Sequence, residues 1–405
     1  MPTMKPWRIA LAGMVALAVA MGIGRFAFTP LLPMMLADGT VSLTGASWLA
    51  SANYLGYLVG ALLCTGQPWI ARRLDLHSMP PATRLVRGGL VATVLLTLGM
   101  ALPAPTVWVL LRFAAGVASA IVFVYTSGWC LGQLARLQVP TMGALIYIGP
   151  GAGIVISGLA ASAMVGLHWS ATTGWLIFGV LAVALTASIW STLQETSGAP
   201  LTGAAAATMQ ATPAAGIDLE MALLNGAYSL AGFGYIITAT FLPVIARQAL
   251  PGSAWLDLFW PLFGAGVILG AITASRIHGV RDLRWLLMGC YLVQALGVAT
   301  SLISPTLAGF ALGSLLLGLP FTAITFFAMQ EVRRLRPAQA PSYMGLATAL
   351  YGLGQIVGPP LAAALVARGT HPGEGFNLSL QIAAGALVFG ALLYGLLIRW
   401  HPVAR

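Results

Sequence analysis

Two arginines stand where an arginine is costly. Arg25 falls in GIGRFAFTPLLP (22–33), inside a run otherwise apolar from Ile9 to Leu36, and Arg112 falls in LLRFAAGVASA (110–120). A guanidinium is a fixed cation with five donors, suited to a carboxylate, a phosphate or backbone carbonyls. At the centre of a bilayer it costs at least ~2.5–3.5 kcal/mol, so it must face an interior that holds partners. For Arg25 two roles fit: binding or coupling to a substrate, or a structural hydrogen bond to carbonyls freed by Pro30 and Pro33. For Arg112 the pair is function or helix-to-helix bonding. Residues 22–27 also fit G-x-G-x-x-[G/A], the pattern that cradles a dinucleotide pyrophosphate. That pattern needs a preceding strand and an unbroken helix after it, and Pro30 and Pro33 interrupt the segment where that helix would run.

Arg25 comes 17 residues after Arg8 and 13 before Asp38. On a helix that is about 25 Å and 20 Å, too far for its side chain to snorkel to a headgroup. Arg112 heads a helical stripe with Gly116, Ser119, Phe123 and Thr126. Other polar side chains within apolar runs are Asn53 and Tyr57, Tyr228, Tyr235 and Thr238, Thr322 and Thr325, and Tyr351 and Gln355. All are candidates for lining a binding site, and each is equally a common packing residue. The acids tell against a cationic cargo. Asp38, Asp75, Glu195, Asp218, Glu220, Asp257, Asp282, Glu331 and Glu374 all fall in loops or near the ends of apolar runs. Asp257 and Glu331 are the nearest candidates for proton coupling. The five histidines sit in loops or at ends, and Cys64, Cys130 and Cys290 lie unpaired in apolar runs. Nothing here suggests a metal, a cofactor or an enzyme.

These residues need an apolar framework to position them. Of 405 residues, 59% are hydrophobic and only 7% charged, against roughly 25% charged in soluble domains. Mean hydropathy is +0.91. The chain reads as an all-α integral membrane protein. Runs long enough to span a bilayer fall at 9–36, 46–70, 85–102, 105–133, 141–165, 171–193, 218–246, 254–277, 283–302, 306–331, 342–367 and 376–398. With the N-terminus inside, fifteen of the nineteen Lys and Arg fall in inner segments and two, Arg247 and Arg368, in outer loops. That bias predicts two cytoplasmic termini, and it assigns the net charge of +10 to orientation, not to nucleic acid. Lys5 and Arg8 followed by an apolar run ending AVA (18–20) also resemble a cleaved signal peptide. Against cleavage, the apolar pattern runs on past Ala20.

The chain repeats itself. At an offset of 210, Gly22, Gly24, Leu32 and Pro33 fall on Gly232, Gly234, Leu242 and Pro243, and Gly56, Gly60 and Ala61 fall on Gly266, Gly270 and Ala271. At an offset of 202, Gly116 falls on Gly318 and Met142–Gly143 on Met344–Gly345. A collinear series of this length predicts two six-helix halves in parallel repeat, 1–193 and 218–405, joined by a cytoplasmic linker at 194–217. Tyr235 stands where the first half has Arg25, and Ser314 where it has Arg112.

Several phrases carry a resemblance. LLRFAAGVASA resembles the fourth-helix motif of the major facilitator superfamily, and IGPGAG (148–153) and GLGQIVGPP (352–360) resemble its Gly–Pro motifs. The motif between helices two and three keeps Gly66 and Arg72–Arg73 but lacks its acid. At finer grain, GIGRFAFTPLLP, ASWLASANYLGYLVGA (46–61), GFGYIITATFLP (232–243) and GQIVGP (354–359) resemble the YbfB/YjiJ-like group of bacterial major facilitator proteins, which implies a bacterial inner membrane. The resemblance implies a major facilitator fold with a site between the halves. It also implies alternating access, with the motif's Arg112 linked to proton coupling or anion binding. The expectation is a proton-coupled, monomeric transporter of a small organic anion. The alternative is an exporter of hydrophobic compounds or metabolites by proton antiport, and a membrane-embedded sensor or enzyme is more remote.

Overall fold

An uninterrupted helix cannot carry the sequence of residues 18–33, and the chain does not make one there. Pro30 and Pro33 have no N–H to give, and each ring crowds the carbonyl four residues earlier. In the computed structural model the first span runs helical over Pro6–Leu17, is wound as a wider π-helix over Ala18–Ile23, turns over 24–27, and resumes as Phe28–Ala37. Gly24 N–H reaches Val19 O at 2.9 Å and Phe26 N–H reaches Met21 O at 3.0 Å, both five residues back. Such π-windings concentrate at functional sites.

The structure describes residues 5–73, 80–193, 219–253, 255–277, 279–337, 340–369 and 371–402. The expected linker 194–217, and with it Asp75, Glu195, Asp218, His77 and His278, lies outside them. Among the described residues, twelve helices are long and apolar enough to cross a membrane. We number them α1 Pro6–Ala37, α2 Leu43–Gln67, α3 Ala82–Gly99, α4 Pro105–Arg136, α5 Met142–Gly166 and α6 Ala171–Trp190. The remaining six are α7 Leu219–Ala249, α8 Leu256–Arg276, α9 Leu283–Ile303, α10 Leu307–Leu335, α11 Tyr343–Arg368 and α12 Gly373–Trp400. They match the expected runs to within a few residues. The largest difference is α10, which continues beyond 331 to Leu335 and so encloses Glu331 within the helix.

Burial sorts the spans. The apolar windows of α1 and α7 are 83% and 78% buried inside the protein, whereas those of α11 and α12 are 33%. Leu95, Leu110, Val180, Ile303 and Leu392 stand exposed on peripheral faces, where acyl chains replace water as the solvent. α1 and α7 therefore form the centre.

Close helix approaches recur at the offsets of the sequence repeat. Gly56 and Gly60 of α2 lie against the carbonyls of Phe113 and Val117 in α4, and Gly266 and Gly270 of α8 lie against those of Leu315 and Leu319 in α10. In return Gly116 meets Asn53 and Tyr57, as Gly318 meets Phe263 and Val267. Small residues permit this backbone-to-backbone packing, which drives helix association in lipid.

The first six spans meet the last six along α2–α11, α5–α8 and α1–α7. Thr29 donates to Ala239 O at 3.0 Å, Tyr54 and Thr240 share a bond of 3.0 Å, and Ser51 donates to Ile356 O at 2.8 Å. These three bonds lie from mid-span toward the end of the bundle opposite Pro6 and Trp400. Residues 29 and 239 are themselves separated by the repeat offset of 210. Equivalent positions face one another only beside a two-fold axis, so a pseudo-two-fold axis passes between α1 and α7 at this level.

Candidate functional site

The break in α1 leaves carbonyls at 24 and 25 that need donors. Arg112 supplies them, with Nη1 donating to Gly24 O at 3.2 Å and Nη2 to Arg25 O at 3.1 Å. Its guanidinium also lies over the Phe28 ring, 4.8 Å from the centroid. Asn53 donates Nδ2–H to Arg112 O at 2.9 Å, tying α2 to α4 behind it. The structural role open to Arg25, bonding to carbonyls of a broken helix, is thus performed by Arg112.

Arg25 points elsewhere. It is 4% exposed, and its Nη2 donates to Gln355 Oε1 of α11 at 2.7 Å. Gln355 Nε2 in turn donates to the hydroxyl of Tyr235 on α7. Positions 25 and 235 are repeat equivalents, so both converge on Gln355 next to the axis. The guanidinium carbon lies 4.2 Å from the Tyr57 ring centre, 5.2 Å from Tyr54 and 5.3 Å from Phe26. Tyr351 stacks on Tyr228 at 4.8 Å and on Tyr235 at 6.0 Å, and Phe321 meets Tyr235 edge-on at 5.0 Å. Tyr228 donates to Thr325 Oγ1 at 3.1 Å. One mid-membrane cluster thus gathers Arg25, Tyr57, Tyr228, Tyr235, Thr325, Tyr351 and Gln355 from α1, α2, α7, α10 and α11.

The cluster holds unmet donors and no counter-charge. Arg25 Nε is buried without a hydrogen-bond partner, as are Arg112 Nε beside it and, on α7 and α10, Thr238 Oγ1 and Thr322 Oγ1, which no contact ties to the cluster. Among the described residues no carboxylate lies within 4.0 Å of Arg25 or Arg112. Each unmet buried donor costs ~1–3 kcal/mol, and more when charged. An anion that accepted from Arg25 would recover part of that.

The two acids expected nearest to proton coupling lie elsewhere. Asp257, at the start of α8, pairs with Arg247 at the end of α7. Glu331, fully buried in α10, takes Arg334 Nε at 3.0 Å and has Arg284 Nε at 3.6 Å. Arg284 is itself fully buried, is held by Asp282 at 2.8 Å and 3.0 Å, and lies 3.5 Å from Glu220. Burial works against ionisation of Asp282 at the turn before α9, yet the bonds from the Arg284 side chain and backbone outweigh it. Its carboxyl is held below the ordinary range.

Of the stripe behind Arg112, Ser119 bonds back to Gly116 O at 2.9 Å, Phe123 packs on Tyr147, and Thr126 is buried without a partner. Sequence reasoning missed Tyr54, which touches Arg25 and bonds Thr240. Its spacing of three from Tyr57 on one helix was the available signal. It also missed Phe26, Phe321 and the ionic cluster around Arg284.

Twelve membrane spans about a pseudo-two-fold axis, with a buried polar cluster on that axis, define a membrane transporter. The chain belongs to the family described as "Uncharacterised MFS-type transporter YbfB", whose family model matches residues 17–395, and so to the major facilitator superfamily of transporters, not to an enzyme family. It is 28% identical over 408 residues to a chloramphenicol resistance protein of Streptomyces lividans, covering 94% of each chain. It is 25% identical over 143 residues to the efflux pump DEP3 of Fusarium langsethiae, covering 34% of this chain and 26% of that one. Among solved structures, the nucleoside transporter NupG superposes with a TM-score of 0.67 at 16% identity, covering 99% of this chain and all of that one. A point mutant of NupG reaches 0.73 at 17%, covering 96% and 99%. At that identity the likeness concerns the fold alone.

Proposed function

We propose that the protein is a secondary active transporter that moves a small organic anion across the bacterial inner membrane by alternating access, coupled to protons. The observation that carries this reading is Arg25, a buried cation on the pseudo-two-fold axis with an unused Nε–H and no carboxylate beside it. The spans of 1–193 and 218–405 act as two bodies that rock about the axis, with 194–217 as the tether. The hydrogen bonds at Thr29, Ser51 and Tyr54 close the end opposite the termini. Arg112 acts by holding the turn that presents Arg25, and the distribution of basic residues supports cytoplasmic termini. The working unit is a monomer, since the site is complete within one chain.

In proteoliposomes, Arg25→Gln is expected to abolish uptake of an organic acid while the purified variant melts no lower than the native protein. Arg112→Gln is expected to lose uptake and also to melt lower, because the carbonyls of Gly24 and Arg25 lose their donors. Full transport by both variants overturns the reading.

A second reading, export of hydrophobic compounds by proton antiport, draws on the resistance and efflux names of two relatives and on one further feature. A groove of about 650 Å³ between α2, α4 and α11, lined by Trp48, Leu55, Trp108 and Val109, lies beside Ser51 and Ile356 near the end of the bundle opposite the termini. Proton-gradient-dependent extrusion of a lipophilic dye, unaffected by Arg25→Gln, would favour it.

A further inference from the structure

The walls around Arg25 say more than its charge. Five of the chain's ten tyrosines, Tyr54, Tyr57, Tyr228, Tyr235 and Tyr351, stand in the cluster around Arg25. Tyr54, Tyr57, Tyr228, Tyr235 and Tyr351 are fixed by direct contacts to Arg25 or to one another. Phe26 and Phe321 continue the wall, meeting at 6.1 Å, and Trp260 and Phe263 stack behind them at 5.1 Å. Aliphatic side chains would fill such space equally well in lipid. A continuous aromatic lining beside a single cation instead offers faces and edges to a flat π-system.

The guanidinium is surrounded by Tyr57, Tyr54 and Phe26 and keeps one buried, unmet donor at its edge. Tyr57 lies against it at 4.2 Å, and Nη2 is engaged by Gln355. Nε–H has no acceptor. A carboxylate that uses Nε–H must arrive in the plane of the guanidinium, the geometry of a planar fork. Tyr57, Tyr351, Phe321, Thr322 and Thr325 are only partly buried although they sit at mid-span. Tyr57 packs on Arg25, Tyr351 on Tyr228 and Phe321 on Tyr235, so these three side chains face the interior of the bundle.

We propose that the substrate is an arylcarboxylate: a flat aromatic ring bearing one carboxylate, with the carboxylate taking the unmet Nε–H of Arg25 and the ring against Tyr351, Tyr57 and Phe321. In such acids conjugation keeps ring and carboxylate coplanar, so one rigid plane serves both contacts and little freedom is lost on binding. Aromatic contacts of this kind add attraction beyond area burial, and two or three together discriminate a ring from a saturated ring by about tenfold. The inference rests on the anion reading of Arg25 and adds the shape and electronic character of the remainder.

The test uses the purified full-length protein in detergent and three probes of similar size, benzoate, cyclohexanecarboxylate and benzamide, with 2-naphthoate as a larger ring. Binding is read by thermal shift and by tryptophan fluorescence. The expected order is 2-naphthoate and benzoate first, cyclohexanecarboxylate at least tenfold weaker, and benzamide without effect. Tyr351→Leu should bring benzoate and cyclohexanecarboxylate to within threefold of each other while both still bind, a readout that simple misfolding would not give. Equal binding of the two acids in the native protein overturns the aromatic preference and leaves the anion reading standing. Benzamide binding as well as benzoate overturns the anion reading itself. Failure of all four probes to bind at millimolar concentration overturns the assignment to arylcarboxylates.

Discussion

Exchanging one polar group beside Arg25 should raise stability and lower affinity together. Gln355 accepts from Arg25 Nη2 at 2.7 Å and donates to the Tyr235 hydroxyl. Gln355→Glu keeps the shape, and the new oxygen can accept from the same hydroxyl turned round, so the exchange leaves no further polar group unmet. The carboxylate then stands about 4 Å from the guanidinium centre, where an effective dielectric near 20 gives an attraction of about 4 kcal/mol. Burying the carboxylate removes a large part of this, so the net gain in folding stability is on the order of 1–2 kcal/mol. An external carboxylate meets a cation already neutralised and loses most of the attraction. A loss of about 3 kcal/mol corresponds to roughly a hundredfold weaker binding. Thermal unfolding of the purified variant, without and with benzoate, reads both effects in one experiment. A variant that melts higher alone and gains nothing from the acid supports the account. A variant that still binds the acid as tightly as the native protein refutes the reasoning, because Arg25 would not then be the cation that binds.

The packing and the ionic cluster each carry a further expectation. Gly56→Ala and Gly270→Ala each force a methyl into a backbone carbonyl, of Phe113 and Leu319 respectively. Each should cost ~1–3 kcal/mol by overpacking and lower the melting midpoint, whereas Gly226→Ala, whose methyl meets nothing within 4 Å, should not. Asp282 is held below the ordinary carboxylate value of about 3.9 by Arg284. Its contribution to stability is therefore complete above that value and is lost as pH falls toward the depressed one. Asp282→Asn should flatten the acid limb of the stability profile measured by thermal unfolding between pH 6 and pH 3.

The spans and the repeat are legible in the sequence for physical reasons that need no tertiary information. Lipid demands long apolar helices, and a duplicated packing scheme demands the same small residues at the same offsets, as Gly56 and Gly266 illustrate. The polar cluster is also largely legible, because a polar side chain within an apolar run has few places to go. What sequence could not apportion is the work of the two arginines. Both read as buried cations, and only the π-wound break at 18–27 decides that the freed carbonyls face Arg112. The same limit applies to Glu331. Hydropathy puts it at the edge of its span, but the helix runs on to Leu335 and brings it against Arg284 and Arg334. Tyr54 does not stand out beside Asn53 and Tyr57, because hydropathy gives a tyrosine no direction.

The central claim is that Arg25 is the cation that receives the substrate. The most direct test is a thermal-shift comparison of native protein and Arg25→Gln across small organic acids, each paired with its neutral amide. Acids should stabilise the native protein and their amides should not, and Arg25→Gln should lose the acid-dependent shift while its own melting temperature is kept or raised. Amides that stabilise as well as the acids, or an acid-dependent shift that survives in Arg25→Gln, would contradict the claim.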